Sequence, residues 1–183
     1  MALAMTKKQA EPQAQWLIEP ASDKYWAGIW AIFKDVISTG DTYAYAPDTT
    51  EKDAKEIWMG RAAHGTVAHT FVVRDGSEIV GTYSLRANHY GLGSHVANAG
   101  YMVRADYRGR GIAKAMCNDS MERAKGLGFT SMQFNYVVST NTLAVELWQR
   151  MGFKIIGCAP KSFRHSVHGP VDIYIMHRFL AEA

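Results

Sequence analysis

Residues 101–116, YMVRADYRGRGIAKAM, pass from a strand-like run through a basic glycine turn straight into a helix. A chain that sets a helix directly behind a strand is confined to layered architectures in which helices cover a sheet. The flanking segments agree. Trp16 to Pro20 reads as a short strand, and Ser22 as the N-cap of a helix from Asp23 to about Ile37, with Trp26, Ile29, Trp30, Phe33 and Ile37 on one face. Gly40 closes that helix and the turn-rich DTYAYAPDTT follows; Thr49 or Thr50 then caps a shorter helix through Ile57 to about Arg61. From His69 the period changes to two. TFVVR and EIVGTYSLRA flank Asp75-Gly76-Ser77, a hairpin signal, and the Gly-rich HYGLGSH leads to a third run, VANAGYMVR.

Beyond the glycine turn a helix is expected from about Ile112 to Leu127, ended by Gly128, and SMQFNYVV reads as an apolar strand. NTLAVELWQRMG is a helix with Ala144, Leu147, Trp148 and Met151 on one face, and KIIGCAP and VDIYIMHRFL are two closing strands. The order β-α-α-β-β-β-α-β-α-β-β predicts an α/β (α+β) fold with a single mixed sheet flanked by helices. No internal repeat or linker interrupts it. Residues 15–183 are expected to form one domain behind a flexible tail over 1–14.

Composition narrows the partners. With 183 residues and 48% hydrophobic content there is ample material for one core. A net charge of +3 is mildly basic, which suits an anionic small molecule at least as well as a nucleic acid, whose binders cluster their charge. Cys117 and Cys158 are too few for a disulfide scaffold or a cysteine zinc site. The polar start MALAMTKKQAEPQAQ lacks an apolar signal core, and no stretch is long and apolar enough for a membrane span. The expectation is a soluble cytoplasmic protein with no nucleic-acid or membrane partner and no metal.

The glycine turn carries the chemistry. A helix N-terminus presents unpartnered N–H groups and a partial positive charge, ready to hold a phosphate. Gly109 and Gly111 let backbone approach an anion, and Arg104, Arg108, Arg110 and Lys114 add charge. Neither GxxxxGK[ST] nor GxGxxG is present. What stands there is Arg108-x-x-Gly111-x-Ala113, which resembles the pyrophosphate-binding motif [QR]-x-x-G-x-[GA] of the GNAT superfamily of acetyl-CoA-dependent N-acetyltransferases. NTLAVELWQRMGF resembles that family's second signature, N-x-x-A-x-x-L-[Y]-x-x-x-G-F, and the element order matches from Trp16 onward.

The resemblance implies the GNAT fold, with a mostly antiparallel sheet, and acetyl-CoA as co-substrate. It implies that pantetheine pairs with the strand Ala99 to Val103, that a backbone N–H near Met102 or Val103 meets the tetrahedral oxyanion, and that a homodimer forms. The implied coenzyme-binding set is Met102, Val103, Arg108, Gly109, Arg110, Gly111, Ile112, Ala113 and Asn141. The patterns N-x-G-Y-M-V, M-Q-F-N-x-V-V-S-T-N and P-x-x-F-R-H resemble one branch over roughly residues 70–180, the fungal L-azetidine-2-carboxylate (proline-analogue) N-acetyltransferases and related bacterial proteins. There the asparagines matching Asn98 and Asn135 orient the amino-acid substrate and the acetyl group, and Asn141 lies on the coenzyme side. A strand asparagine can equally satisfy neighbouring backbone.

The chain departs from the family at Trp148, which stands where many members place a tyrosine acid. Tyr101, Tyr136 or Ser139 are the substitutes, and a water chain or His95 is the base, since no carboxylate lies on the strand VANAGYMV. Tyr43 and Tyr45 either wall the acceptor pocket or pack their loop down. His165-x-x-His168 lacks further ligands for a metal, and Cys117 is a small buried side chain rather than a nucleophile. The function expected is transfer of acetyl from acetyl-CoA to a small-molecule amine, an amino acid or analogue in the narrower reading. A non-catalytic acyl-CoA sensor and a protein N-acetyltransferase are the alternatives.

Overall fold

The computed structural model describes residues 16–60 and 66–180; the expected tail over 1–14 and Arg61 lie outside them. Seven strands form one sheet: β1 (Leu17–Pro20), β2 (His69–Asp75), β3 (Glu78–Ala87), β4 (Val96–Val103), β5 (Ser131–Val138), β6 (Lys154–His165) and β7 (Gly169–Phe179). Four helices cover it: α1 (Trp26–Ser38), α2 (Glu51–Met59), α3 (Ile112–Gly126) and α4 (Thr142–Arg150). The spatial order is β1-β2-β3-β4-β5-β7-β6, and every neighbouring pair is antiparallel except β4 and β5. This is the mixed, mostly antiparallel sheet flanked by helices that the sequence predicts.

Pleating sends successive side chains to opposite faces, and the two faces have separate cores. Val72 and Met102 point to one face, where they meet Ile29, Phe33 and Ile37 of α1 and Trp58 of α2. Phe71, Val73, Tyr83, Leu85, Ala97, Met132 and Phe134 point to the other, against Ile112, Met116 and Met121 of α3 and Trp148 of α4. Trp30 of α1 is only partly buried, and Ile32 takes a core place beside the residues expected there. Among the described residues, no helix is long and apolar enough to cross a membrane.

Boundaries differ where local hydrogen bonding overrides the pattern. Ser22 forms no side-chain cap, and a 3₁₀ turn at Asp23–Tyr25 delays α1 to Trp26. Thr50, not Thr49, caps α2, its Oγ1 accepting from the Asp53 amide at 3.2 Å. Strand β6 continues past Pro160 to His165 through an irregularity where Lys161 adopts φ 52°, its amide donating to Asp172 Oδ1 at 2.8 Å.

Helix α2 docks through a buried polar relay. Trp58 Nε1 donates to Thr82 Oγ1 at 2.9 Å, and that hydroxyl donates to the Phe71 carbonyl at 2.9 Å. Both side chains are almost wholly buried. Thr82→Val keeps the volume but leaves the indole N–H without a partner and removes the hydroxyl bond to the Phe71 carbonyl. It is expected to lower the free energy of unfolding in urea by about 1–3 kcal/mol, with Thr82→Ser retaining most of it.

Candidate active site

In the middle of the sheet one hydrogen-bond ladder stops short. Strands β4 and β5 pair only through Val96↔Ser131 and Ala97↔Met132. Beyond that, β4 stays with β3 to Val103 and β5 stays with β7 to Val138, so a wedge opens between them. Backbone groups along its edges lack the partners a continuous ladder supplies.

Alternation decides which β4 groups face the wedge. The Asn88 amide donates to the Val96 carbonyl at 2.7 Å and the Arg104 amide to the Val80 carbonyl at 3.0 Å. The register between β3 and β4 is continuous, so even-numbered residues from Val96 to Arg104 turn their peptide groups towards β3. Ala99, Tyr101 and Val103 therefore turn theirs into the wedge. Two side chains fasten it. Asn98 Nδ2 donates to the Gln133 carbonyl at 2.8 Å at the apex, and the Tyr43 hydroxyl donates to the Tyr101 carbonyl at 2.8 Å further out. Gly100 permits the second contact: a Cβ there would lie 3.3 Å from the Tyr43 hydroxyl and 3.4 Å from the Trp58 ring.

Helix α3 begins at the open end of the wedge. Ile112 packs beneath Gly81, which pairs with Val103. Gly109 and Gly111 adopt φ 75° and 87°, left-handed backbone that glycine takes without strain. No side chain caps α3, and its first helical bond runs from the Ala115 amide to the Gly111 carbonyl. The amides of Ile112, Ala113 and Lys114 thus have no intrahelical partner. Arg108 is exposed and pairs with no described residue, while Arg110 donates to the Asp106 carbonyl at 3.0 Å and lies over the Tyr107 ring. Arg104 is withdrawn from this anion-ready turn, because Asp106 and Glu78 hold it at 2.8 and 2.9 Å.

A strand edge with free donors ends here at an uncapped helix start, and the profile of the acetyltransferase (GNAT) family matches residues 30–153, more than half of the chain. The chain belongs to that family. A GCN5-related N-acetyltransferase from Kribbella flavida is 40% identical and superposes with a TM-score of 0.84, covering 92% of this chain and 99% of that one. The N-acetyltransferase aca1 of Schizosaccharomyces pombe is 33% identical over 100 residues, 54% of this chain and 48% of that protein, so the match spans about half of that relative's length. The fold also matches yncA of Salmonella typhimurium, determined with its cofactor acetyl-CoA, at a TM-score of 0.76 and 15% identity over 92% of this chain and 96% of that one.

Within this GNAT chain the expected coenzyme residues divide. Arg108, Gly109, Arg110, Gly111, Ile112 and Ala113 share the turn, and Val103 faces the wedge beside it. Met102 does not: its peptide group pairs with β3 and its side chain is buried against α1 and α2, so Tyr101 replaces it on the wedge edge. Asn141 stands where β5 ends and α4 begins; its amide donates to the Val138 carbonyl at 3.0 Å and its Oδ1 accepts from the Ala144 amide at 3.3 Å.

The face of the wedge towards α1 and α2 is lined with amides. Gln133 Nε2 donates to Asn135 Oδ1 at 2.8 Å, and Asn135 Nδ2 donates to Asn88 Oδ1 at 2.6 Å. With Asn98 on the Gln133 carbonyl, both predicted asparagines sit in one chain of hydrogen bonds bridging the wedge. Gln133, Asn88 and the neighbouring Arg86 are the members sequence reasoning missed. Their signal was the polar alternation Thr82, Ser84, Arg86 within an otherwise apolar strand. Tyr43 and Tyr45 stack at 5.5 Å over this face, Tyr45 stacks on Phe33, and Tyr43 meets Trp58 edge-on. The pair therefore both packs its loop and borders the wedge.

Three of the other proton-transfer candidates lie away from the wedge. The Tyr101 hydroxyl points to the α3 face, where it lies 2.7 Å from Ser120 Oγ in the core. Tyr136 donates to the Ser162 carbonyl, away from the wedge. His95 precedes the paired end of β4, six residues and about 20 Å of strand from Tyr101. Trp148 packs its ring 5.0 Å from Tyr101 and 5.2 Å from Phe134. Among the described residues no cluster of His, Cys, Asp or Glu fits a metal, and His165 Nδ1 accepts from the amides of Val167 and His168.

Burial governs the acids here. It raises the Tyr43 and Tyr101 hydroxyls well above their ordinary 10.0 and pushes the Cys117 thiol up to about 12. Each group is held neutral in the folded state. Its stabilising effect is complete below its ordinary value and is lost as pH rises towards the folded-state value. Thermal stability is therefore expected to fall steadily above about pH 9, and tyrosinate absorbance should rise in two stages, the second coinciding with unfolding. A flat melting temperature to pH 11 or a single-stage titration would contradict this.

Proposed function

We propose that the protein is an N-acetyltransferase that moves an acetyl group from acetyl-CoA to the amine of a small molecule, with an amino acid or amino-acid analogue as the narrower class. The observation that carries the reading is the wedge between β4 and β5, with free strand donors on its edge and the uncapped start of α3 at its mouth. Unpartnered amides at a helix start suit a pyrophosphate, and no Cβ-sized obstruction surrounds Gly109 or Gly111. Arg108 supplies the neighbouring charge. The strand edge Ala99 to Val103 suits pantetheine, whose amides pair with peptide groups as a further strand would.

The chemistry follows from what lines the wedge. A neutral amine attacks the thioester carbonyl carbon and a C–N bond forms. Charge gathers on the carbonyl oxygen, where a preset N–H of Tyr101 or Val103 stabilises it. The C–S bond then breaks, the sulfur keeps the electron pair, and the proton lost by the amine passes to water. An ordinary thiol has a pKa of roughly 8.5, so its thiolate leaves near neutrality without a protein acid. Trp148 in place of a tyrosine is compatible with that route. Asn98 and Asn135 donate and accept without titrating, which suits them to orienting the acceptor.

Thiol release from acetyl-CoA against amino acids, polyamines, aminoglycosides and N-terminal peptides tests the reading, with calorimetry of acetyl-CoA binding alongside. Turnover of small amines is expected. Gly111→Glu places bulk and negative charge at the helix start and is expected to abolish acetyl-CoA binding in a folded protein; unchanged affinity overturns the site. Asn135→Ala is expected to lower turnover by about tenfold or more with acetyl-CoA affinity unchanged, as loss of one well-placed polar contact does. Tight acetyl-CoA binding with no turnover of any amine would favour an acyl-CoA sensor, and turnover of peptides alone a protein acetyltransferase.

A further inference from the structure

A cation stands on the acceptor side of the wedge, and no described acid pairs with it. Arg86 stands on β3 opposite Asn98 of β4. Its side chain runs back along the strand, because Nη2 donates to Ser84 Oγ at 3.0 Å and to the Ile57 carbonyl at 2.6 Å. Ser84 pairs with Gly100, so the guanidinium lies level with Gly100, one residue from the Tyr101 peptide that faces the wedge. The Ile57 carbonyl belongs to the last turn of α2, where a cation is favoured, and it fixes the orientation of the group.

Both of those bonds use a single nitrogen. The remaining N–H groups, on Nε and Nη1, make no hydrogen bond or ion pair to a described residue. Burial opposes the charge, and the titratable group that acts on it is the Tyr45 hydroxyl. Asn98 lies opposite on β4 and Asn88 follows two residues along the chain, and no described carboxylate forms an ion pair with Arg86. A guanidinium held by one nitrogen, with N–H groups left on the other two, can still give a carboxylate a charge-assisted N–H···O bond.

We infer that Arg86 receives a carboxylate of the acceptor, so that the substrate class is an amine with a carboxylate close by, as in a free amino acid. This rests on acetyl transfer taking place at the wedge. The short spacing follows from the guanidinium lying one strand from Tyr101, where the amine must meet the thioester. A peptide N-terminus presents an amide where the carboxylate belongs.

The test uses matched acceptors that differ only in the carboxylate: alanine against alaninamide, and proline against prolinamide. Parent, Arg86→Met and Arg86→Lys proteins are compared by thiol release, with acetyl-CoA affinity and thermal melting read on each. The parent is expected to favour the acids by tenfold or more in kcat/KM. Arg86→Met should erase that preference, lowering kcat/KM for the acids about 100-fold, chiefly through KM. It should leave the amides and acetyl-CoA affinity unchanged, and Arg86→Lys should restore part of the preference. An Arg86→Met protein equal to the parent on the acids overturns the assignment. So does a parent that binds acetyl-CoA yet prefers amides, peptides or polyamines, or turns over no amine; in each case the coenzyme site stands. Absence of acetyl-CoA binding in the parent overturns the proposed function instead.

Discussion

The wedge between β4 and β5 depends on a hydrogen bond made by a side chain in place of a backbone. Where the next ladder bond would draw β5 against β4, Asn98 Nδ2 takes the Gln133 carbonyl at 2.8 Å and the strands part. An interior strand edge left open is costly, because each buried peptide group without a partner forfeits the solvation it had in the unfolded chain. The fold limits that cost at the two ends of the opening. Asn98 satisfies the apex, and Tyr43 reaches across from the α1–α2 loop to satisfy the Tyr101 carbonyl. What stays free is a short row of N–H groups beside a helix start that is itself uncapped.

These two fastenings tie distant parts of the chain to one feature. Tyr43 reaches β4 because position 100 has no side chain, and it stays there because Tyr45, Phe33 and Trp58 hold its ring. Trp58 in turn is fixed by Thr82, so the buried relay that docks α2 also sets one wall of the wedge. On the opposite face, Trp148 packs against Tyr101 and Phe134 and braces both strands from behind. A tryptophan there supports the opening by volume. On the proposed reading it supplies no proton, and a thioester asks for none.

Much of this was legible in the sequence because local rules agree with the fold. The spacing of Trp26, Ile29 and Phe33, the Asp75-Gly76-Ser77 hairpin and the glycines that end α3 and α4 each report one element without reference to any other. The turn at Arg108 to Ala113 was legible for the same reason: its chemistry lies in consecutive residues. The wedge was not, since it is defined by pairs that are never made. Tyr101 and Met102 show how sharp that limit is. Strand parity exchanges their roles, sending the Tyr101 hydroxyl into the core and its peptide group into the wedge, and the Met102 peptide group to β3. His95 failed on distance along the strand, which proximity in sequence concealed.

Arg86 belongs to a different class of omission. A guanidinium in an apolar strand is expected to find an acid in the folded protein, because a half-buried charge otherwise loses solvation without recompense. Seven ion pairs connect described residues, and Arg86 is in none of them. The Ile57 carbonyl and Ser84 offset part of the cost through one nitrogen and hold the group still. A preset cation among neutral amides discriminates by charge as well as by shape: it attracts an anionic group and repels a cationic one. The amides around it accept either orientation of a hydrogen bond, so they add direction without cancelling that field. Selectivity on this face therefore comes from a charge the fold leaves unmatched, next to the strand edge where the ladder was interrupted.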